Sequence, residues 1–99
     1  MNTRYTLNDI NFVWDTRKAA ANARKHKGIS FELAGEAFFD PFLQVVDRGV
    51  IDGEQREAII GLTVGWQLLY VVYTLRDDKV RVISARLATK PERRIYEAR

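Results

Sequence analysis

Few side chains in this 99-residue chain can do chemistry, and most of them are cationic. The one imidazole, His26, lies between Lys25 and Lys27. It is a candidate general base, or a helix C-terminal residue that interacts with the helix dipole. Glu54 stands two residues before Arg56 in Asp52-Gly53-Glu54-Gln55-Arg56. A carboxylate so placed is either a positioned base or half of a surface pair contributing under ~1 kcal/mol. If its strand alternates, Arg56 shares a face with Ala58, Ile60 and Leu62, where a cation needs a carboxylate or a phosphate as partner. Arg76, Arg81 and Arg86 offer planar forks that keep their charge, which suits a phosphate and a transition state gaining negative charge. Arg76 and Arg81 could equally decorate a turn and an edge, whereas Arg86 emerges directly from Ile83-Ser84-Ala85. Tyr70, Tyr73, Tyr96 and Trp66 could stack on bases, although aromatics in strands more often fill a core.

Composition narrows the chemistry. The absence of Cys removes disulfides, thiolate metal sites and a cysteine nucleophile, and a single His removes a multi-histidine zinc site. Carboxylate-bound magnesium stays open without any motif in its favour. No Gly-rich phosphate loop, GxSxG, HExxH or dinucleotide fingerprint occurs. The N-terminus has no apolar run and no stretch of 18 apolar residues exists, so we expect a cytoplasmic protein with no membrane partner. The net charge is +3, unevenly spread: Thr16 to Ser30 holds five Lys or Arg (Arg17, Lys18, Arg24, Lys25, Lys27) and no acid, while acids gather between Glu32 and Glu57. Such asymmetry fits a polyanion, an acidic protein partner, or solvated helix faces.

The elements that must position these residues centre on Leu68–Arg86. Two Val-, Ile- and Tyr-rich runs, Leu68–Leu75 and Val80–Ala85, flank a turn at Asp77-Asp78. A two-residue turn sets Arg76 against Lys79 and Leu75 against Val80. Leu69, Val71, Tyr73 and Leu75 then share a face with Val80, Val82 and Ser84, while Tyr70, Val72 and Thr74 share the other with Arg81, Ile83 and Ala85. Upstream we expect a short edge strand at Asn11–Trp14, then an Asp15-capped helix over Thr16–Lys27 closed by Gly28. Lys18, Asn22 and Lys25 line one stripe of that helix. A Ser30-capped helix over Phe31–Phe39 stops at Asp40-Pro41. A strand over Phe42–Asp47, a polar connection Arg48–Gln55 and a strand Arg56–Val64 lead into the hairpin. The capping box Thr89-Lys90-Pro91-Glu92 starts a final helix running to about Ala98, docked through Ile95, with Lys90, Arg93, Arg94 and Arg99 on its other faces. The expected fold is one α+β domain over residues 1–99, in the order β-α-α-β-β-β-β-α.

Residues along nearly the whole chain carry a family resemblance: Trp14-Asp15, Lys18, Asn22, Lys25-His26, Ser30-Phe31-Glu32, Ala34, Phe39-Asp40-Pro41, Gly53-Glu54, Arg56, Gly61, Tyr73-Thr74-Leu75-Arg76, Val82-Ile83-Ser84-Ala85-Arg86, Ala88-Thr89 and Glu92-Arg93-Arg94 with Tyr96. The chain resembles the BrnT family, the ribonuclease toxins of BrnT–BrnA type II toxin–antitoxin systems. The resemblance implies a RelE-like fold with a small antiparallel sheet flanked by helices. It implies metal-independent RNA cleavage without a cofactor, and neutralisation by a BrnA-type antitoxin through which alone operator DNA is bound. Two departures stand out: Asp52-Gly53-Glu54 where family members often have His-Gly-Glu, and the extra Lys27 before Gly28. In the mechanism this implies, Glu54 or His26 is the base and Arg56, Arg76 and Arg86 hold the phosphate. Lys18, Lys25 and Arg81 contact RNA elsewhere. The alternative is a non-catalytic basic module that holds RNA or an antitoxin in a repressor complex, and the missing His favours it.

Overall fold

A computed structural model describes residues 1–98; Arg99, expected among the basic faces of the last helix, lies outside them. The chain runs β1 (Asn2–Leu7), β2 (Ile10–Asp15), α1 (Thr16–Lys25), α2 (Phe31–Ala37), β3 (Gln44–Ile51), β4 (Glu54–Leu62), β5 (Leu68–Arg76), β6 (Lys79–Leu87) and α3 (Lys90–Glu97). The strands form one six-stranded sheet in the order β1-β2-β6-β5-β4-β3, antiparallel except where β2 runs parallel to β6. The expected α+β order is present, with β1 added in front of it.

Two-residue turns with positive φ at both central positions close three of the hairpins: Asn8-Asp9, Asp52-Gly53 and Asp77-Asp78. Such turns match the right-handed twist of the strands they join, and Asn, Asp and Gly tolerate the conformation best. The polar stretch Arg48–Gln55 is therefore not a loose connection. Arg48 pairs with Glu57 and Ile51 with Glu54, extending β3 and β4 to the turn. Hydrophobicity alone hid this, because the outer half of β3 is exposed.

The β5–β6 register begins as expected, with Arg76 opposite Lys79 and Leu75 opposite Val80. A bulge then intervenes: Tyr73 faces Val82, but Val72 faces Ser84, leaving Ile83 as the extra residue. Ala85, not Ser84, joins the core face, and Arg86 turns out beside Tyr70.

One sheet face packs on α1 and α2. Phe31, Ala34 and Ala37 of α2 meet Ile59, Leu69, Val71, Tyr73, Val82 and Ala85, with Phe12 and Trp14 closing the side. Gly61 marks the closest approach: a Cβ there would lie 2.4 Å from the Ala37 carbonyl oxygen, so backbone would have to move. Helix α1 contributes less, and only Asn22 on it is buried, which explains its alanine-only apolar face. Asn22 is thus no part of a surface stripe with Lys18 and Lys25, both exposed.

Helix α3 covers part of the opposite face. Its docking residue is Tyr96, buried against Ile60 and Leu68, while Ile95 is 51% exposed. The Tyr96 hydroxyl donates to Asp40 Oδ2 at 2.5 Å, and Asp40 also accepts from the amides of Phe42 and Leu62, each at 2.8 Å. The residue expected merely to end α2 therefore ties three segments together. No helix among the described residues is long and apolar enough to cross a membrane.

Candidate active site

The half of the second sheet face that α3 leaves open is lined by cations. Side chains alternate along each strand, so register assigns this face. Ala58 and Ile60 of β4 lie opposite Val72 and Tyr70 of β5, which puts Glu54 and Arg56 on the face of Thr74 and Arg76. Arg81 lies opposite Thr74, Val13 beside Arg81, and Arg4 opposite Val13. A row Arg56–Thr74–Arg81–Val13–Arg4 thus crosses five strands, about 19 Å at the usual strand spacing.

Glu54 sits between two guanidiniums. Arg76 Nη2 donates to Glu54 Oε2, and Arg56 Nε lies 3.9 Å from Oε1. Arg56 Nε is buried with no hydrogen-bond partner among the described residues, so one donor of this fork is left unsatisfied beside Glu54. Arg76 remains 56% exposed. The sheet holds the cluster rigidly from below: the Thr74 hydroxyl donates to the Gln55 carbonyl at 2.7 Å, and the Tyr73 hydroxyl donates to Glu57 at 2.7 Å on the other face. Burial, then the bond to Glu57, pushes the Tyr73 phenol far above its ordinary value, so it stays protonated. Glu54, Arg56, Arg76 and Arg81, all singled out from sequence, are brought together.

Arg86 and His26 are not. Arg86 faces Tyr70, six residues along β5 from Arg76, which is about 20 Å of strand. Its guanidinium is held bidentately by Glu92, at 2.7 and 2.8 Å, and lies 4.3 Å from the centre of the Tyr70 ring. Glu92 also closes the Thr89 capping box, so this pair fastens α3 to the sheet. His26 caps α1, its amide donating to the Asn22 carbonyl. With Lys25, Lys27, Leu87 and Arg86 it lines a separate cavity of about 200 Å³. Lys18 is exposed on α1 and lines neither group. Of the candidate stacking residues, Tyr73 and Tyr96 are buried, Tyr70 lies beneath Arg86, and Trp66 is 82% exposed.

The Arg86–Glu92 pair has a pH signature. The bond from Arg86 is the main cause holding the Glu92 carboxyl below its ordinary value of 4.5. A lowered folded-state pKa contributes stability that is present above the unfolded value and lost as pH falls through the folded one. Glu92→Gln should therefore melt below the wild type at neutral pH by ~4–8 °C, as for a partly screened pair of about 1 kcal/mol. That gap should close as the pH drops below 4.5. Thermal melts of both proteins across this range read it directly, and a pH-independent gap would reassign the pair.

Sequence reasoning missed Arg4 and Lys79. Both line a cavity of about 180 Å³ with Asn2, Val13, Arg76, Asp77 and Arg81. The signal was present in the alternation of Asn2–Leu7 ahead of the Asn8-Asp9 turn, a hairpin pattern whose return strand starts at Ile10.

A family model described as the ribonuclease toxin, BrnT, of a type II toxin–antitoxin system matches residues 14–92. The match spans β2 from Trp14 to the first turn of α3 and includes Glu54, Arg56, Arg76 and Arg81; Arg4 precedes it. No curated protein matches the chain.

Proposed function

We propose, from the premise that this chain belongs to the BrnT ribonuclease toxins of type II toxin–antitoxin systems, that it cuts RNA on the open sheet face with Glu54 as base and Arg56 and Arg76 holding the phosphate. The observation that carries this reading is the Glu54 carboxylate bridged between two arginines on a rigid, uncovered sheet. An arriving phosphate competes for Arg76, drawing its fork off Glu54 and freeing the carboxylate as the scissile group is bound. The Glu54 carboxylate takes the proton of the ribose 2′-hydroxyl. The 2′-oxygen attacks the adjacent phosphorus, and the P–O5′ bond breaks. The products are a 2′,3′-cyclic phosphate and a 5′-hydroxyl whose proton comes from water. Negative charge gathers on the non-bridging oxygens, where Arg56 and Arg76 donate. None of these steps calls on a metal or a cofactor.

In this reading His26, which caps α1 and shares a cavity with Arg86 at the other end of β5 from Arg76, does not serve the same phosphate, and Arg86 is held by Glu92 instead. Their cluster then belongs to the α1 end of the molecule and acts with Lys25 in longer contacts. The partner is an antitoxin of the BrnA type, whose acidic segment would cover the basic face and whose separate DNA-binding part would carry the complex to operator DNA, in the cytoplasm.

The test is cleavage of a defined RNA by antitoxin-free protein in excess EDTA, with product ends mapped. Cyclic phosphates at undiminished rate are expected. Products with a 5′-phosphate, or loss of cutting in EDTA, would overturn the mechanism. Tight RNA binding with no cutting would favour the non-catalytic module.

A further inference from the structure

We infer that the cavity between the β1–β2 hairpin and the β5–β6 turn is a second phosphate subsite, in which Arg4 and Lys79 hold the RNA backbone phosphate next to the one that is cut. The inference rests on the proposed reading of the Glu54 site and extends it sideways across the sheet. The cavity, about 180 Å³, is lined by Arg4, Arg76, Lys79 and Arg81 against a single carboxylate, Asp77. That volume is several times the ~30 Å³ share of one water, so a phosphate group can enter.

Three features favour an RNA backbone as the occupant. First, Arg76 belongs to both places: it donates to Glu54 and it lines the cavity. A chain whose phosphate lies on Arg76 has its neighbouring phosphate within reach of the next cations along the row. Second, the cations are free for it. Among the described residues, the ion pairs within 4 Å involve Arg48, Arg56, Arg76 and Arg86, and none involves Arg4, Lys79 or Arg81. Three unpaired cations around one cavity repel one another, and an anion relieves that repulsion. Third, Val13 and Asn2 line the same cavity, giving an apolar surface for a ribose and a polar side chain for its hydroxyl. Arg4 reaches the site because β1 pairs with β2 in a register that puts Arg4 opposite Val13 and Val13 beside Arg81. It comes from a strand that precedes the stretch matched by the family model. In this chain, then, the N-terminal hairpin completes the substrate groove.

The test uses a short RNA made uncleavable by 2′-O-methylation, so that binding is read apart from cutting. Its affinity for wild type, Arg4→Ala, Arg4→Lys and Arg24→Ala is measured over a salt series. Arg24→Ala removes an equal charge from the exposed side of α1. Arg4 is exposed, and unchanged thermal melts verify that its variants fold. Arg4→Ala should weaken binding about tenfold and lower the salt slope by about 0.7, the value for one lost contact to a single strand. Arg4→Lys should keep the slope, and Arg24→Ala should change neither. On cleavable RNA, Arg4→Ala should raise KM and leave kcat as it was. Arg4→Ala matching the wild type, or falling no further than Arg24→Ala, would overturn the subsite while leaving the Glu54 mechanism standing. Wild type that binds no RNA at all would overturn both.

Discussion

Replacing Arg76 by alanine is expected to lower RNA cleavage by ~10²- to 10³-fold, the cost of removing one preorganised donor from a developing oxyanion, with little change in stability. The structural cost is small because the side chain is 56% exposed at the end of β5 and its partner Glu54 is also reached by Arg56. Exposed pairs of this kind contribute ~0–1 kcal/mol. The functional cost is large for two reasons. Arg76 is one of two guanidiniums within reach of the Glu54 carboxylate, and it is the cation shared with the neighbouring cavity. Without it, a phosphate approaching Glu54 meets an incompletely screened carboxylate, so binding and chemistry suffer together. Arg76→Lys should recover part of the binding through its charge but less of the rate, since an ammonium cannot make the two parallel bonds of a guanidinium. Glu54→Gln should behave differently, keeping affinity while losing kcat, because it removes the base and relieves the repulsion. Single-turnover cleavage with each variant, beside thermal melts, separates these outcomes. An Arg76→Ala protein that cuts at the wild-type rate would remove Arg76 from the mechanism and leave the Glu54 carboxylate a surface partner.

How much of this could be read from the chain depends on the kind of signal. Caps and hairpin turns are local, and Asp15, Ser30, Thr89 and Asp77-Asp78 all act where the residues suggest. Alternation and one correctly placed turn set Arg56 with Ala58 and Ile60, and Arg81 with Thr74, but the step that brings Glu54 and Arg56 to the face of Arg76 is the pairing of β4 with β5, which no local signal carries. The position of Arg86 was not legible, because a single extra residue at Ile83 reverses every side chain after it. Arg81 and Arg86 differ by an odd number, which in a regular strand puts them on opposite faces, yet the bulge brings both to the same face. Nothing in Val82-Ile83-Ser84 announces a bulge. Distance along the sheet was equally hidden: sequence shows three arginines near one hairpin, while the pairing sets Arg76 and Arg86 at opposite ends of it. Asp40 illustrates the converse. Its role as a helix stop was legible, but its bonds to Leu62 and Tyr96 join residues far apart in the chain.

The largest stability effect is expected at Asn22. Strand β2 pairs with β6 only at Phe12–Val80 and Val13–Arg81, because the chain turns into α1 at Thr16. Beyond that point the outer edge of β6 has no neighbouring strand. Asn22 takes its place: its amide nitrogen donates to the Ala85 carbonyl at 2.8 Å and its amide oxygen accepts from the Ala85 amide at 3.1 Å. This is the two-bond exchange a partner strand would supply. The same nitrogen donates to the Ile29 carbonyl at 3.2 Å, securing the link from α1 to α2. Asn22 is buried, so removing it strands one buried donor and two buried acceptors. At ~1–3 kcal/mol for each group left unsatisfied, offset where water enters, Asn22→Ala should cost about 3 kcal/mol. That corresponds to a fall in Tm of more than ~10 °C for a domain of this size. Asn22→Leu should cost more, since its bulk fills the space water would need and pairs with nothing. Asn22→Asp should be no remedy, because a carboxylate would face two carbonyls and keep only the bond from Ala85. Denaturant unfolding of the three variants, with m-values to verify two-state behaviour, measures the ranking. A loss below 1 kcal/mol for the leucine variant would mean that packing of α1, not this amide, holds the sheet edge. The same bonds fix where α1 ends, and with it the cluster of Lys25, His26 and Arg86. An Asn22 variant that still folds should therefore disturb that cluster while leaving Glu54 and Arg76, at the far end of β5, in place.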